Sequence, residues 1–111
     1  MRQLPPSMRG RKRYIAFRII AEKSVDEKML WDAMTKNLII IFGEDFAAGA
    51  GLKLEKFNGK EGIVRCNLEA LEKVMIALTL IDKVGDENVA LLTLAVSGTI
   101  KSCRKKLGVV M

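Results

Sequence analysis

The chain has 111 residues, half of them hydrophobic, with 19 Lys and Arg against 13 Asp and Glu and a net charge of +6. That length suits one compact domain with one core, and no apolar run approaches the roughly 20 residues of a membrane span, so an intracellular, cytoplasmic protein is expected. There is no histidine, and Cys66 and Cys103 are the only cysteines; that argues against a zinc site and removes the commonest general base, so both thiols are expected to be buried as small apolar groups.

Leu4-Pro5-Pro6-Ser7 cannot be helix or central strand, because proline lacks an amide donor and restricts its predecessor, so residues 1–12 read as an extended basic arm and residues 13–111 as a single domain. From Arg13 to Glu22 strand formers dominate, with Ile15, Phe17 and Ile19 on a core face and Tyr14, Ala16, Arg18 and Ile20 on a mixed one. Ser24-Val25-Asp26-Glu27 has the capping-box pattern and predicts a helix to Phe42 that buries Leu30, Ala33, Met34, Leu38 and Ile41, with Gly43 as its stop. Residues 44–51 carry no strong pattern and read as a connection.

Leu52 to Phe57 alternates as a half-buried strand does, Asn58-Gly59 is a strong hairpin signal, and Glu61 to Cys66 supplies the returning strand. Asn67 is placed to cap a second helix, Leu68 to about Ile81, and Asp82 to Asn88 reads as a polar loop. Val89 to Ser97 is apolar on both faces, which predicts a strand covered twice, and Thr99 to Leu107 supplies an amphipathic helix to cover the second face. The order strand, helix, strand, strand, helix, strand gives an α+β, ferredoxin-like or RNA-recognition-like split βαβ sandwich (βαββαβ) with an extra C-terminal helix.

The positive charge is localised. Residues 1–13 hold Arg2, Arg9, Arg11, Lys12 and Arg13 without an acid, residues 98–111 hold Lys101, Arg104, Lys105 and Lys106 without an acid, and acids outnumber bases in between. Two such segments suit a polyanion. The third strand lacks the aromatic residues on which the ordinary RNA-recognition module stacks bases, so recognition by shape and phosphate charge is expected. An acylphosphatase-type enzyme would need an arginine in a glycine-rich loop with a positioned asparagine, which is not found, and a metabolite sensor would be expected to have a ligand loop and has little reason for nine basic residues at its ends; no catalytic or metal-binding residue stands out.

Two stretches, Leu4-Pro5-Pro6-Ser7-Met8-Arg9-Gly10-Arg11-Lys12-Arg13-Tyr14-Ile15-Ala16-Phe17 and Val96-Ser97-Gly98-Thr99-Ile100-Lys101, resemble the opening and closing signatures of the ribonuclease P protein component 2 family, archaeal relatives of a eukaryotic Pop-type subunit. The resemblance implies a non-catalytic subunit that stabilises the RNA which removes the 5′ leader of precursor tRNA. It also implies pairing with ribonuclease P protein component 3, two copies of each. No cofactor or small-molecule ligand is implied for the protein, since the RNA uses magnesium, and the lack of a span-length apolar run gives no reason to expect membrane contact. On this reading Arg9, Arg11, Lys12, Arg13, Lys101, Arg104 and Lys105 are candidate phosphate contacts. Trp31, Ile39, Ile40 and Phe42, surplus to one core stripe, are candidates for a protein interface. The alternative is a general adaptor for structured RNA.

Overall fold

In the computed structural model residues 11–107 are described. Four strands form one antiparallel sheet: β1 (Lys12–Ile20), β2 (Lys53–Phe57), β3 (Glu61–Asn67) and, after a two-stranded ribbon of β4 (Lys83–Val84) and β5 (Glu87–Asn88), β6 (Ala90–Ser97). Their spatial order is β2-β3-β1-β6, so β1 and β3 are central and β2 and β6 are edges. The helices are α1 (Glu27–Phe42), α2 (Glu44–Gly49), α3 (Leu71–Thr79), preceded by a 3-10 turn at Leu68–Ala70, and α4 (Ile100–Leu107).

Alternation along β1 builds the two faces. Ile15, Phe17 and Ile19 enter the main core with Leu30, Met34 and Leu38 of α1, Val74 and Leu78 of α3, and Val64 and Leu91 of the neighbouring strands. Ala16 faces the other way, into a small second core with Ile63 and Cys103, against which Tyr14, Ala95 and Ile100 pack. α4 therefore lies on the sheet face opposite α1 and α3. The β2–β3 hairpin closes as expected: the Asn58 side-chain oxygen accepts from the Lys60 and Glu61 amides at 3.0 and 2.8 Å, and Gly59 takes φ 100°. At Gly62 a Cβ would stand 2.6 Å from both the Lys56 carbonyl and the Phe17 ring, so glycine there lets that ring close over β3 and stack on Phe57.

Several sequence expectations are corrected. The cap of α1 is Asp26, whose carboxylate accepts from the Met29 amide, while Ser24 lies against Gly59. Ile41 is exposed, and Phe42, one residue further round the helix, packs on the core instead. Residues 44–49 are helical, and the expected loop at 82–88 contains the β4–β5 ribbon. Asn67 occupies the cap position of the 3-10 turn, but its side chain donates to the Gly49 carbonyl and accepts from the Lys12 ammonium. The second face of β6 is only partly covered: α4 is eight residues long, about 12 Å, and Leu92 and Leu94 remain 44% and 39% exposed.

Candidate nucleic-acid interface

Among the described residues, the end of the first basic segment and the start of the last meet at one end of the sheet. Lys12 begins β1, and its neighbour Arg13 donates from Nη1 to the Lys12 carbonyl and runs alongside Gly98, where a Cβ would stand 3.7 Å from that nitrogen. The Cys103 thiol on α4 donates to the Tyr14 carbonyl at 3.1 Å across 89 residues of sequence, which ties the last helix to the first strand. Cys66 and Cys103 are both fully buried. Burial pushes the Cys66 thiol up to about 11, with Glu69 adding to the rise and Lys12 opposing it. A thiol held protonated in this way packs as a small apolar side chain and is a poor nucleophile.

Among the sequence-derived candidates, Arg11, Lys101 and Lys105 are exposed and Lys12 and Arg13 half-buried. Arg9 and the Arg104 side chain lie outside the described residues. Neither β1, β6 nor α4 contains an acid, and the acids of the four-stranded sheet are Glu55 and Glu61. Glu61 is taken up by Arg18 at 2.7 Å. The remaining acids sit on α1, α2, α3, the 3-10 turn, the ribbon and the adjoining loops. The molecule thus separates its charges: a basic face carrying α4, and an acidic, partly apolar layer of helices behind it.

That helical layer holds the candidates for a protein interface. Trp31 is half-buried over a cavity shared with Thr35, Leu38 and Leu52, and the Thr35 hydroxyl inside it has no hydrogen-bond partner. Ile39 is half-buried and Ile40 is 68% exposed. Phe42 is engaged within the chain, tilted against Phe46 at 5.5 Å with the Lys73 ammonium above both rings. Ile40 and Met29 border an open groove between α1 and the β4–β5 ribbon.

The family profile described as Rpp14/Pop5 matches residues 13–108. The chain belongs to the Rpp14/Pop5 family. It is 60% identical over 106 residues to ribonuclease P protein component 2 of Archaeoglobus fulgidus, covering 96% of both chains, and 36% identical to the protein of that name from Pyrococcus horikoshii, covering 96% of this chain and 90% of that one. In fold it matches a chain in the cryo-EM structure of yeast ribonuclease MRP with a TM-score of 0.67 at 13% identity, over 88% of this chain and 86% of that one. The family match runs from Arg13 in β1 through α4, and Arg9, Arg11 and Lys12 precede it.

Two further cations, which the sequence did not single out, lie in one row of the sheet. Lys53 on β2 and Arg65 on β3 lie opposite one another, Arg65 lies opposite Tyr14, and Tyr14 lies opposite Ser97, one row across all four strands. By alternation from Ala16, the row is on the α4 side. The hairpin turn alone could not have found them: continued regularly from Phe57 opposite Gly62 it sets Leu54 against Arg65, and only the register shift between Leu54 and Lys56 brings Lys53 opposite Arg65.

Proposed function

We propose that the chain is a non-catalytic protein subunit of ribonuclease P that clamps the catalytic RNA through its α4 face during removal of the 5′ leader from precursor tRNA. What supports this reading is the tie between α4, which carries Lys101 and Lys105, and β1, which begins at Lys12, in a member of the Rpp14/Pop5 family. Each ammonium or guanidinium placed against a phosphate releases counterions and screens repulsion between folded RNA segments, without reading sequence. Arg9, Arg11, Lys12, Arg13, Lys101, Arg104 and Lys105 supply those contacts. Hydrolysis belongs to the RNA and its magnesium, and the protein holds no cofactor.

The strand order β2-β3-β1-β6 with α1 and α3 on one face supports the ferredoxin-like class, with α4 as the added helix. The partner of the opposite, helical layer is ribonuclease P protein component 3, in an assembly with two copies of each working in the cytoplasm. Ile40 and Trp31 are the strongest contacts there, because they leave apolar surface uncovered, with Ile39 and the rim of Phe42 beside them. Cross-linking of the reconstituted complex followed by peptide mapping tests the arrangement. RNA cross-links are expected at Arg11–Tyr14 and on α4; RNA cross-links confined to α1 and α3 would refute it.

A further inference from the structure

We infer that Lys53 and Arg65 form a second phosphate-binding site, extending the RNA contact from α4 across the sheet to its β2 edge, with Glu55 as the counter-charge that an RNA phosphate displaces. This rests on the RNA-binding reading above and adds to it residues that lie in neither basic segment. Arg65 is held with its side chain 31% exposed, its Nε is buried without a hydrogen-bond partner, and its Nη1 is 3.5 Å from Glu55. Lys53, 59% exposed at the side chain, is 4.0 Å from the same carboxylate oxygen.

Both separations exceed the ~2.7–2.9 Å of a charge-assisted hydrogen bond. One carboxylate thus stands between two cations and satisfies neither. A part-exposed guanidinium without a close acceptor gains from a group that supplies several acceptor oxygens in a plane-matching geometry, and phosphate does so bidentately. The register sets the scale: from Lys53 through Arg65 to Tyr14 is two inter-strand steps, ~10 Å, a track that follows a backbone and does not enclose a small anion. Tyr14 connects this row to α4 through its carbonyl bond with Cys103. Glu55 sits where the β2–β3 register shifts, between Leu54 and Lys56, and the extra residue brings a carboxylate to the two cations.

The test is titration of the full chain with the ribonuclease P RNA of its own source organism over a range of salt, with each variant checked for folding by circular dichroism. Each lost phosphate contact flattens the slope of log affinity against log salt by ~0.7–0.9 and weakens binding about fivefold to eightfold at ~0.1 M salt. Lys53→Gln and Arg65→Gln should each show that loss, Arg65→Lys should recover part of it, and Glu55→Gln should tighten binding. If the trio is only a structural ion cluster, all four variants keep wild-type affinity and slope, and the inference falls. Lys53 lies on an exposed edge, so Lys53→Gln decides the matter if Arg65→Gln does not fold. Loss of binding in Lys101→Gln/Lys105→Gln with none in Lys53→Gln and Arg65→Gln would remove this site and leave the α4 contact standing. No binding by the wild-type chain would remove both.

Discussion

Replacing Cys103 with Asn should release α4 from the sheet without unfolding the domain. Among the groups that hold the helix are Cys103, fully buried against Ala16 and Ile63, the half-buried Ile100, and the thiol's bond to the Tyr14 carbonyl. Burial of one small and one partly covered aliphatic side chain contributes about 2–3 kcal/mol, and the thiol bond at most about 1 kcal/mol more. Asn forfeits the apolar share of Cys103, adds volume to a closed site, and buries an amide with one acceptor nearby, a combined penalty of about 2–4 kcal/mol. Docked and free helix then become comparably populated, where the wild type has roughly one free in a hundred. Hydrogen exchange would read this as loss of protection over Ile100–Leu107 with β3 and α1 still protected. RNA binding should weaken with it, because Lys101 and Lys105 are no longer held on the face. An α4 that stays protected in C103N, or a released α4 with RNA affinity unchanged, would refute the reasoning.

Three further outcomes follow from the geometry. Gly62→Ala should destabilise by about 2–4 kcal/mol in a denaturant melt, because its Cβ meets a carbonyl and a ring at 2.6 Å; Phe17→Leu should be much less harmful in that background than in wild type. Phe46→Ala should free α2, visible as fast exchange over Glu44–Ala50, whereas Lys73→Ala, which removes only the cation above the Phe42 and Phe46 rings, should cost about 0.5–1 kcal/mol. Cys66 titrates near 9 in an unfolded chain and near 11 in the fold, so its neutral form favours folding fully below pH 9; about 3 kcal/mol of stability is lost as pH rises from 9 to 11. That part of the alkaline loss should vanish in Cys66→Ala, and thiol alkylation of native Cys66 should be slow at pH 8.

Periodicity made the long elements legible. Leu30, Met34 and Leu38 recur at intervals that only a helix turns to one side, and Ile15, Phe17 and Ile19 at the interval of a strand. What the pattern could not decide was the last turn of α1, where Ile41 and Phe42 fit the stripe equally and packing against Phe46 selects Phe42. α2 escaped notice because Glu-Asp-Phe-Ala-Ala-Gly has no periodic stripe; its one large apolar anchor, Phe46, docks on α1. The β4–β5 ribbon is two residues a side, too short to display alternation. Ser24 and Asp26 are both good caps by type, and the choice went to Asp26 because the hairpin tip occupies Ser24, with the Val25 amide bonded to the Gly59 carbonyl.

The basic face was half legible. Runs such as Arg11-Lys12-Arg13 and Arg104-Lys105-Lys106 announce themselves in one dimension. Lys53 and Arg65 do not, since each stands among apolar and acidic neighbours in its own strand and becomes a pair only through strand register. Exposed Leu92 and Leu94 were missed for a related reason, because α4 is too short to cover the strand that runs beneath it.

If this chain supports an RNA-catalysed cleavage by holding phosphates on its α4 face, the cleavage itself must depend on those cations. The measurement is cleavage of a precursor tRNA by the cognate ribonuclease P RNA with component 3 at moderate magnesium, with the wild-type chain, without it, and with Arg11, Lys12 and Arg13 or Lys101 and Lys105 neutralised. The wild-type chain should raise cleavage, neutralisation should remove most of the gain, and added magnesium should restore it in part. A rise that survives every neutralisation, or no rise at all, would contradict that role.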